Sequence, residues 1–332
     1  MQNQTGELTH RFIEINGIRM HIAEQGEGPL VLLSHGFPEC WYSWHYQLPT
    51  LAAAGYHVVA PDQRGYGQTD CPAAVDAYTI LHLTGDLVGL LDALGEEQAV
   101  IVGHDWGANV AWNAALMRPD RFRAVITTSV PYIPRGPVYG PRASVRPTEA
   151  MRQLVGNHSF YQLYFLEPGV AEEEMERDVR KTMRQVFYAL SGDASGAERW
   201  HPISPDPGAG MFTSTPVPDS LPGWISEEDI DYFAGEFERS GFRGGLNWYR
   251  NFDRNWELMA AYSGAKVVQP ALFMWGDRDP VLEIPGTSAR VERQRKYVPN
   301  LRDVVFEGCG HWIQLERADE VNAAIIAFLE SL

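Results

Sequence analysis

Val102-Gly103-His104-Asp105-Trp106-Gly107-Ala108 is the stretch from which the rest of the chain is read. The apolar run at 99–102 reads as a buried strand, and 108–117 reads as a helix. Asp105 must then stand on a sharp strand-to-helix turn. Such a turn needs small residues two places before and two places after the exposed side chain, and Gly103 and Gly107 supply them. The pattern is a nucleophile elbow, G-x-S-x-G, with aspartate in the serine position. The exchange has a chemical consequence. A carboxylate with an ordinary pKa of about 3.9 is ionised at neutral pH and needs no base to become a nucleophile. A base in the same site is free to activate water.

Outward from the elbow, apolar strands at 30–33, 57–60 and 124–129 alternate with helical patterns, and the rhythm returns at 271–275 and 303–306. This alternation predicts a mostly parallel sheet with helices on both faces. Residues 12–15 and 18–23 flank Asn16-Gly17 and read as a hairpin. The rhythm breaks at Pro131. Residues 131–147 are rich in Pro, Gly and Arg and read as a linker, and 148–262 read as helical without a strand. Within that span, 171–190 reads as one helix, and 202–223 reads as an irregular proline-rich loop. Ser226-Glu227-Glu228-Asp229 is a capping box for a helix ending near Ser240-Gly241. Residues 316–332 read as a closing amphipathic helix. The expected organisation is an α/β core from 1–133 and 264–332, with a helical lid, 134–263, inserted between its halves.

The 332 residues are 45% hydrophobic and 21% charged, an ordinary balance for a globular protein. A net charge of −16 disfavours nucleic acid and anionic membrane surfaces as partners. The first residues lack a basic start followed by an apolar run, and no apolar run approaches a membrane span. Three cysteines, an odd number, suggest reduced thiols and a cytoplasmic protein. No metal-ligand spacing or phosphate-binding glycine loop is present, so neither a metal nor a cofactor is expected. The oligomeric state is open, a homodimer included.

In open α/β sheets, chemistry gathers beyond the carboxyl ends of the strands. Gly276-Asp277-Arg278-Asp279 follows the strand at 271–275, and Asp279 is the candidate acid for orienting a histidine, with Asp277 as its rival. Gly308-Cys309-Gly310-His311-Trp312 follows the strand at 303–306, where the glycines suggest a flexible turn presenting His311. The order nucleophile, acid, histidine supports a catalytic reading of all three. His35-Gly36-Phe37-Pro38 follows the strand at 30–33, so the backbone N–H groups of Phe37 and Trp106 are the candidate oxyanion hole. His35, His104 and the loop Asp62-Gln63-Arg64-Gly65-Tyr66-Gly67 are read as structural.

Taken together, these residues resemble the soluble epoxide hydrolases of the α/β-hydrolase superfamily. The resemblance runs through HGFPECWYSW (35–44), GHDWGA (103–108), YQLYFLEPGVAE (161–172), SGFRGGLNWYRN (240–251) and GCGHW (308–312). Cys40 stands where a serine is expected, with no effect on any role assigned here. The resemblance implies Asp105 as nucleophile, His311 as base and Asp279 as orienting acid. It also implies that Tyr161 and Tyr249 of the lid donate protons to the epoxide oxygen. Without it, both tyrosines would pass for ordinary lid aromatics. Phe37, Trp106 and Gln162 are the substrate-pocket candidates. A small-molecule epoxide is the implied partner, a vicinal diol the product, and detoxification one of several roles such an activity serves. The phosphatase domain of mammalian relatives is not expected in a chain of this length. A dehalogenase would share Asp105, Asp279, His311 and Trp106, but a halide leaving group needs N–H donors, not acids. A non-catalytic receptor would be expected to have lost part of the triad.

Overall fold

The sheet expected from the elbow outward is the centre of the molecule. The structure, a computed structural model, describes residues 6–136, 145–212 and 215–332. The strands are β1 (Thr9–Ile15), β2 (Ile18–Gln25), β3 (Leu30–Ser34), β4 (His57–Pro61), β5 (Ala99–His104), β6 (Phe122–Thr128), β7 (Ser159–Phe160), β8 (Ile203–Ser204), β9 (Ala271–Gly276) and β10 (Leu301–Phe306). Eight of them form one sheet in the order β1-β2-β4-β3-β5-β6-β9-β10. The β1–β2 and β2–β4 pairs are antiparallel, and every pair from β4–β3 to β9–β10 is parallel. Asn16 and Gly17 take positive φ in the hairpin turn, as a tight two-residue turn demands.

Successive strand residues face opposite sides of a sheet. In β5, Val100 and Val102 join a cluster with Leu48, Leu51, Val321 and Ile325. Ile101 joins the opposite cluster with Leu87, Leu90 and Ala111. Both faces of β5 are therefore dry, which explains its continuous apolar run. Each fully buried aliphatic side chain contributes roughly 2–3 kcal/mol by leaving water. Asp105 ends this rigid strand.

Between β6 and β9 the described residues are mainly helical, with helices such as Val170–Glu176, Val179–Ala189, Glu227–Ser240 and Arg243–Tyr249. Three sequence readings need correction. The helix expected over 171–190 is two helices, because Asp178 leaves helical geometry and its carboxylate caps the second one, accepting from Lys181 N–H at 3.0 Å. The helix expected over 316–332 is Ile313–Glu316 followed by Ala318–Leu329, broken at Arg317. The region expected to lack strands contains the short β7–β8 ladder, whose second strand falls inside the proline-rich loop. The capping box is as expected: Ser226 Oγ accepts from Asp229 N–H, and Asp229 accepts from Ser226 N–H. The linker expected at 131–147 lies partly outside the described residues, as does part of the 202–223 loop. Among the described residues, no helix is long and apolar enough to cross a membrane.

Candidate active site

Asp105 sits at φ 51° and ψ −116°, a conformation that L-residues rarely adopt. The turn is held tight by the glycines around it. A Cβ on Gly103 would overlap the Gly107 carbonyl, and one on Gly107 would overlap the Ser34 carbonyl at the end of β3. Gly36 is equally constrained, since a Cβ there would strike the Asp105 side chain. The loop after β3 can therefore approach closely enough for Phe37 N–H to donate to Asp105 Oδ1 at 2.9 Å. The Trp106 amide also acts on this carboxylate, opposing the upward push of burial on it. Both candidate oxyanion amides thus meet at Asp105.

His311 Nε2 lies 3.7 Å from Asp105 Oδ2. On its other side, His311 Nδ1 donates to both Asp279 oxygens, at 3.0 and 3.1 Å. Asp279 and His311 are both buried. The rival Asp277 is exposed and spends its carboxylate on Gly308 N–H at 2.7 Å, as a turn acid does. Burial pulls the His311 pKa down, but the Asp279 carboxylate and then the Asp105 charge outweigh it, and the ring is pushed up to about 9. Burial pushes the Asp105 carboxyl upward, opposed by His311, His104 and the two amides. Gly308, at φ +72°, supplies the turn expected there, but Gly310 serves close approach and not flexibility. A Cβ on Gly310 would overlap the backbone of Ser191 and Gly192, while His311 N–H bonds to the Leu190 carbonyl at 2.9 Å.

Tyr161 and Tyr249 arrive from the inserted helices. Tyr161 begins the short helix Tyr161–Tyr164, and its N–H donates to the Pro202 carbonyl beside the β7–β8 ladder. Tyr249 ends the helix Arg243–Tyr249. Two glycines let that helix dock: a Cβ on Gly244 would overlap the Gly65 carbonyl, and one on Gly245 would crowd the Phe37 ring. The Tyr249 ring meets Trp106 at 5.1 Å, Phe37 at 5.6 Å and Tyr161 at 6.1 Å between centroids. Burial, followed by the Asp105 charge, raises both phenols above the ordinary tyrosine range. They stay protonated across neutral pH. Gln162 Nε2 donates to the Tyr161 oxygen at 3.0 Å. A cavity of about 300 Å³ borders Tyr161, walled also by Trp200, Ile203 and Met211.

Other residues hold these groups in place. Buried Glu39 accepts from Gly36 N–H at 2.6 Å, His104 Nδ1–H at 2.7 Å and Gln314 at 2.9 Å. His104 Nε2 meets the His311 carbonyl at 2.8 Å, so His104 points away from the cleft and ties three loops together. Glu316 accepts from Gly310, Gly192 and Trp312 N–H groups. Arg250 forms a two-pronged ion pair with Glu172, at 2.8 and 2.9 Å, linking the two tyrosine segments. His35 and the Asp62 loop are structural: His35 Nε2 accepts from Gln63 N–H, and Asp62 accepts from Trp41 and Gln68 N–H. Cys40 and Cys309 are buried free thiols.

A family model described as the alpha/beta hydrolase fold matches residues 29–318. The chain is 49% identical to epoxide hydrolase A of Mycobacterium tuberculosis, over 98% of this chain and 99% of that one. It is 40% identical to bifunctional epoxide hydrolase 2 of Sus scrofa, over 98% of this chain and 56% of that longer one. The solved structure of epoxide hydrolase A from Mycobacterium thermoresistibile superposes with a TM-score of 0.89 at 49% identity, over 98% of each chain.

Proposed function

The chain belongs to the epoxide hydrolases of the α/β-hydrolase fold, and from that premise we propose that it adds water to a small-molecule epoxide through a transient ester on Asp105. The observation carrying this reading is the pair of phenols, Tyr161 and Tyr249, packed 6.1 Å apart between ring centroids, with the Tyr249 ring against Trp106 and against Phe37, whose amide holds the Asp105 carboxylate.

Asp105 attacks a ring carbon, and its oxygen forms the new C–O bond as the ring C–O bond breaks. The departing oxygen is a poor leaving group unless it is protonated. A tyrosine supplies that proton, and general-acid help of this kind is worth about 10²–10⁴ in rate. His311, oriented by Asp279, then deprotonates a water that attacks the carbonyl carbon of the Asp105 ester. The oxyanion develops on the aspartate itself, within reach of the Phe37 and Trp106 amides, where one donor is worth about 3–4 kcal/mol. Esterification also prepares the base. It removes the Asp105 charge that helps hold a proton on His311, so the ring gives up its resting proton to solvent more easily and stands neutral, able to take one from water. Phe37, Trp106 and Gln162 border the substrate.

The same proposal assigns 1–133 and 264–332 to the core and 134–263 to a lid, and a cytoplasmic site suits the free thiols. All the groups it names come from one chain. The test is a side-by-side assay of an alkyl epoxide and the chloroalkane of the same skeleton. Diol formation without halide release is expected, and halide release at a comparable rate would make the protein a dehalogenase instead.

A further inference from the structure

Tyr161 and Gln162 are neighbours in the chain and on one short helix. Adjacent helical residues do not face each other. Nonetheless the Gln162 side chain turns back to place Nε2 3.0 Å from the Tyr161 hydroxyl oxygen. An amide nitrogen can only donate, so the phenol oxygen is the acceptor and its own hydrogen is left free. Across the site, the Trp106 ring packs edge-on against the Tyr249 ring, with centroids 5.1 Å apart. Other tyrosines behave differently. Tyr164 gives its hydrogen to Glu174, Tyr42 to Asp229, Tyr188 to Glu198 and Tyr78 to the Pro72 carbonyl. Tyr232 also accepts, from Trp41, but it lies on the helix Glu227–Ser240, stacked on Tyr42.

We propose that Gln162 is a positioning residue for epoxide opening: by occupying a lone pair of the Tyr161 oxygen, it frees the phenolic hydrogen for the substrate and steadies the phenolate left behind. The inference rests on the proposed role of Tyr161. The Tyr161 O–H bond breaks as the ring C–O bond breaks, and the proton goes to the ring oxygen. The proton that His311 takes from water restores the balance through solvent when the phenolate is reprotonated. A donor bonded to the developing phenolate forms a charge-assisted hydrogen bond, which is stronger than the neutral one it replaces. That gain exists only in the step that makes the phenolate.

The test measures alkylation and ester hydrolysis separately, in single turnovers of an epoxide by the whole protein. Gln162→Met keeps size and removes the donor, and it should slow alkylation roughly tenfold while leaving hydrolysis unchanged. In a Tyr161→Phe background, the same change should do nothing more. Gln162→Glu supplies an acceptor that captures the phenolic hydrogen. It should slow alkylation further and recover as the pH is lowered and the new carboxyl protonates. Equal slowing of both steps by Gln162→Met, or an undiminished effect of it in the Tyr161→Phe background, would overturn the inference by making Gln162 merely structural. A Tyr161→Phe variant with normal alkylation would instead remove Tyr161 from the mechanism. A slow Tyr161→Phe beside a normal Gln162→Met would sink only the role given to Gln162.

Discussion

Asp105, His311 and Asp279, beyond the carboxyl ends of their strands, are held largely by backbone. Asp105 is fixed by a strained turn between glycines and by the Phe37 and Trp106 amides, and the His311 loop by amides gathered on Glu316 and by the Leu190 carbonyl. Tyr161 and Tyr249, above them, depend mostly on side chains: ring-to-ring packing, the Gln162 contact and the Arg250–Glu172 pair. The two halves also divide the chemistry. The lower half carries nucleophile and base, and the upper half carries the acids. Damage to the base below should therefore show in ester hydrolysis, and damage to the acids above in alkylation.

The largest effect is expected from His311→Gln. Losing the base should lower steady-state turnover by roughly 10⁴-fold or more and leave alkylation intact, because Asp105 needs no base. Intact-protein mass spectrometry should find a substrate-sized adduct. No adduct, with a substrate the parent protein converts, would break the division of labour. Next comes the double change Tyr161→Phe with Tyr249→Phe. Losing both acids should cost more than either single change, at least the 10²–10⁴-fold typical of one, and leave turnover close to the limit of detection, whereas each single change should leave clear residual activity. Near-normal activity in the double variant would remove the tyrosines from the mechanism.

A smaller effect is expected where the upper half is braced. Glu172→Gln leaves the nearly buried Arg250 without its counter-charge and should destabilise the fold by about 3 kcal/mol, read by urea unfolding. In folded protein it should slow alkylation more than hydrolysis, and the reverse order would mean that the pair does not serve the tyrosines. The smallest effect concerns pH. Imidazolium cannot accept a proton, so ester hydrolysis should fall as pH drops through the His311 pKa of the intermediate. That midpoint should lie below the value of about 9 expected for the resting ring, since the Asp105 charge is gone. Rapid-quench single turnovers from acid to alkaline pH would read it, and a midpoint at or above 9 would contradict the argument. Alkylation should not lose its acids over this range, since both phenols are raised.

The same division explains what was legible in the sequence. Gly103 and Gly107 flank Asp105 at fixed spacing, and Asp279 and His311 each follow a strand, so topology and chain order point to all three. Tyr161 carries no such positional mark. A tyrosine on an inserted helix looks like its neighbour Tyr164, whose hydrogen goes to Glu174, and only resemblance to a family separates them. Arg250 and Glu172 lie 78 residues apart with no local pattern joining them. Asp178 was legible in principle, as a capping residue inside an otherwise helical run. Glu316 was not, because a carboxylate that gathers two nearby amides and one 124 residues away looks in sequence like the polar start of a helix.

The most direct test of the central claim is a single turnover with enzyme in excess in heavy-oxygen water. If the ester forms on Asp105, the diol is released with an oxygen from the protein, and the label is found in the Asp105 carboxylate by peptide mass spectrometry. Label entering the diol in that first turnover, with an unlabelled Asp105, would mean that water opened the ring directly.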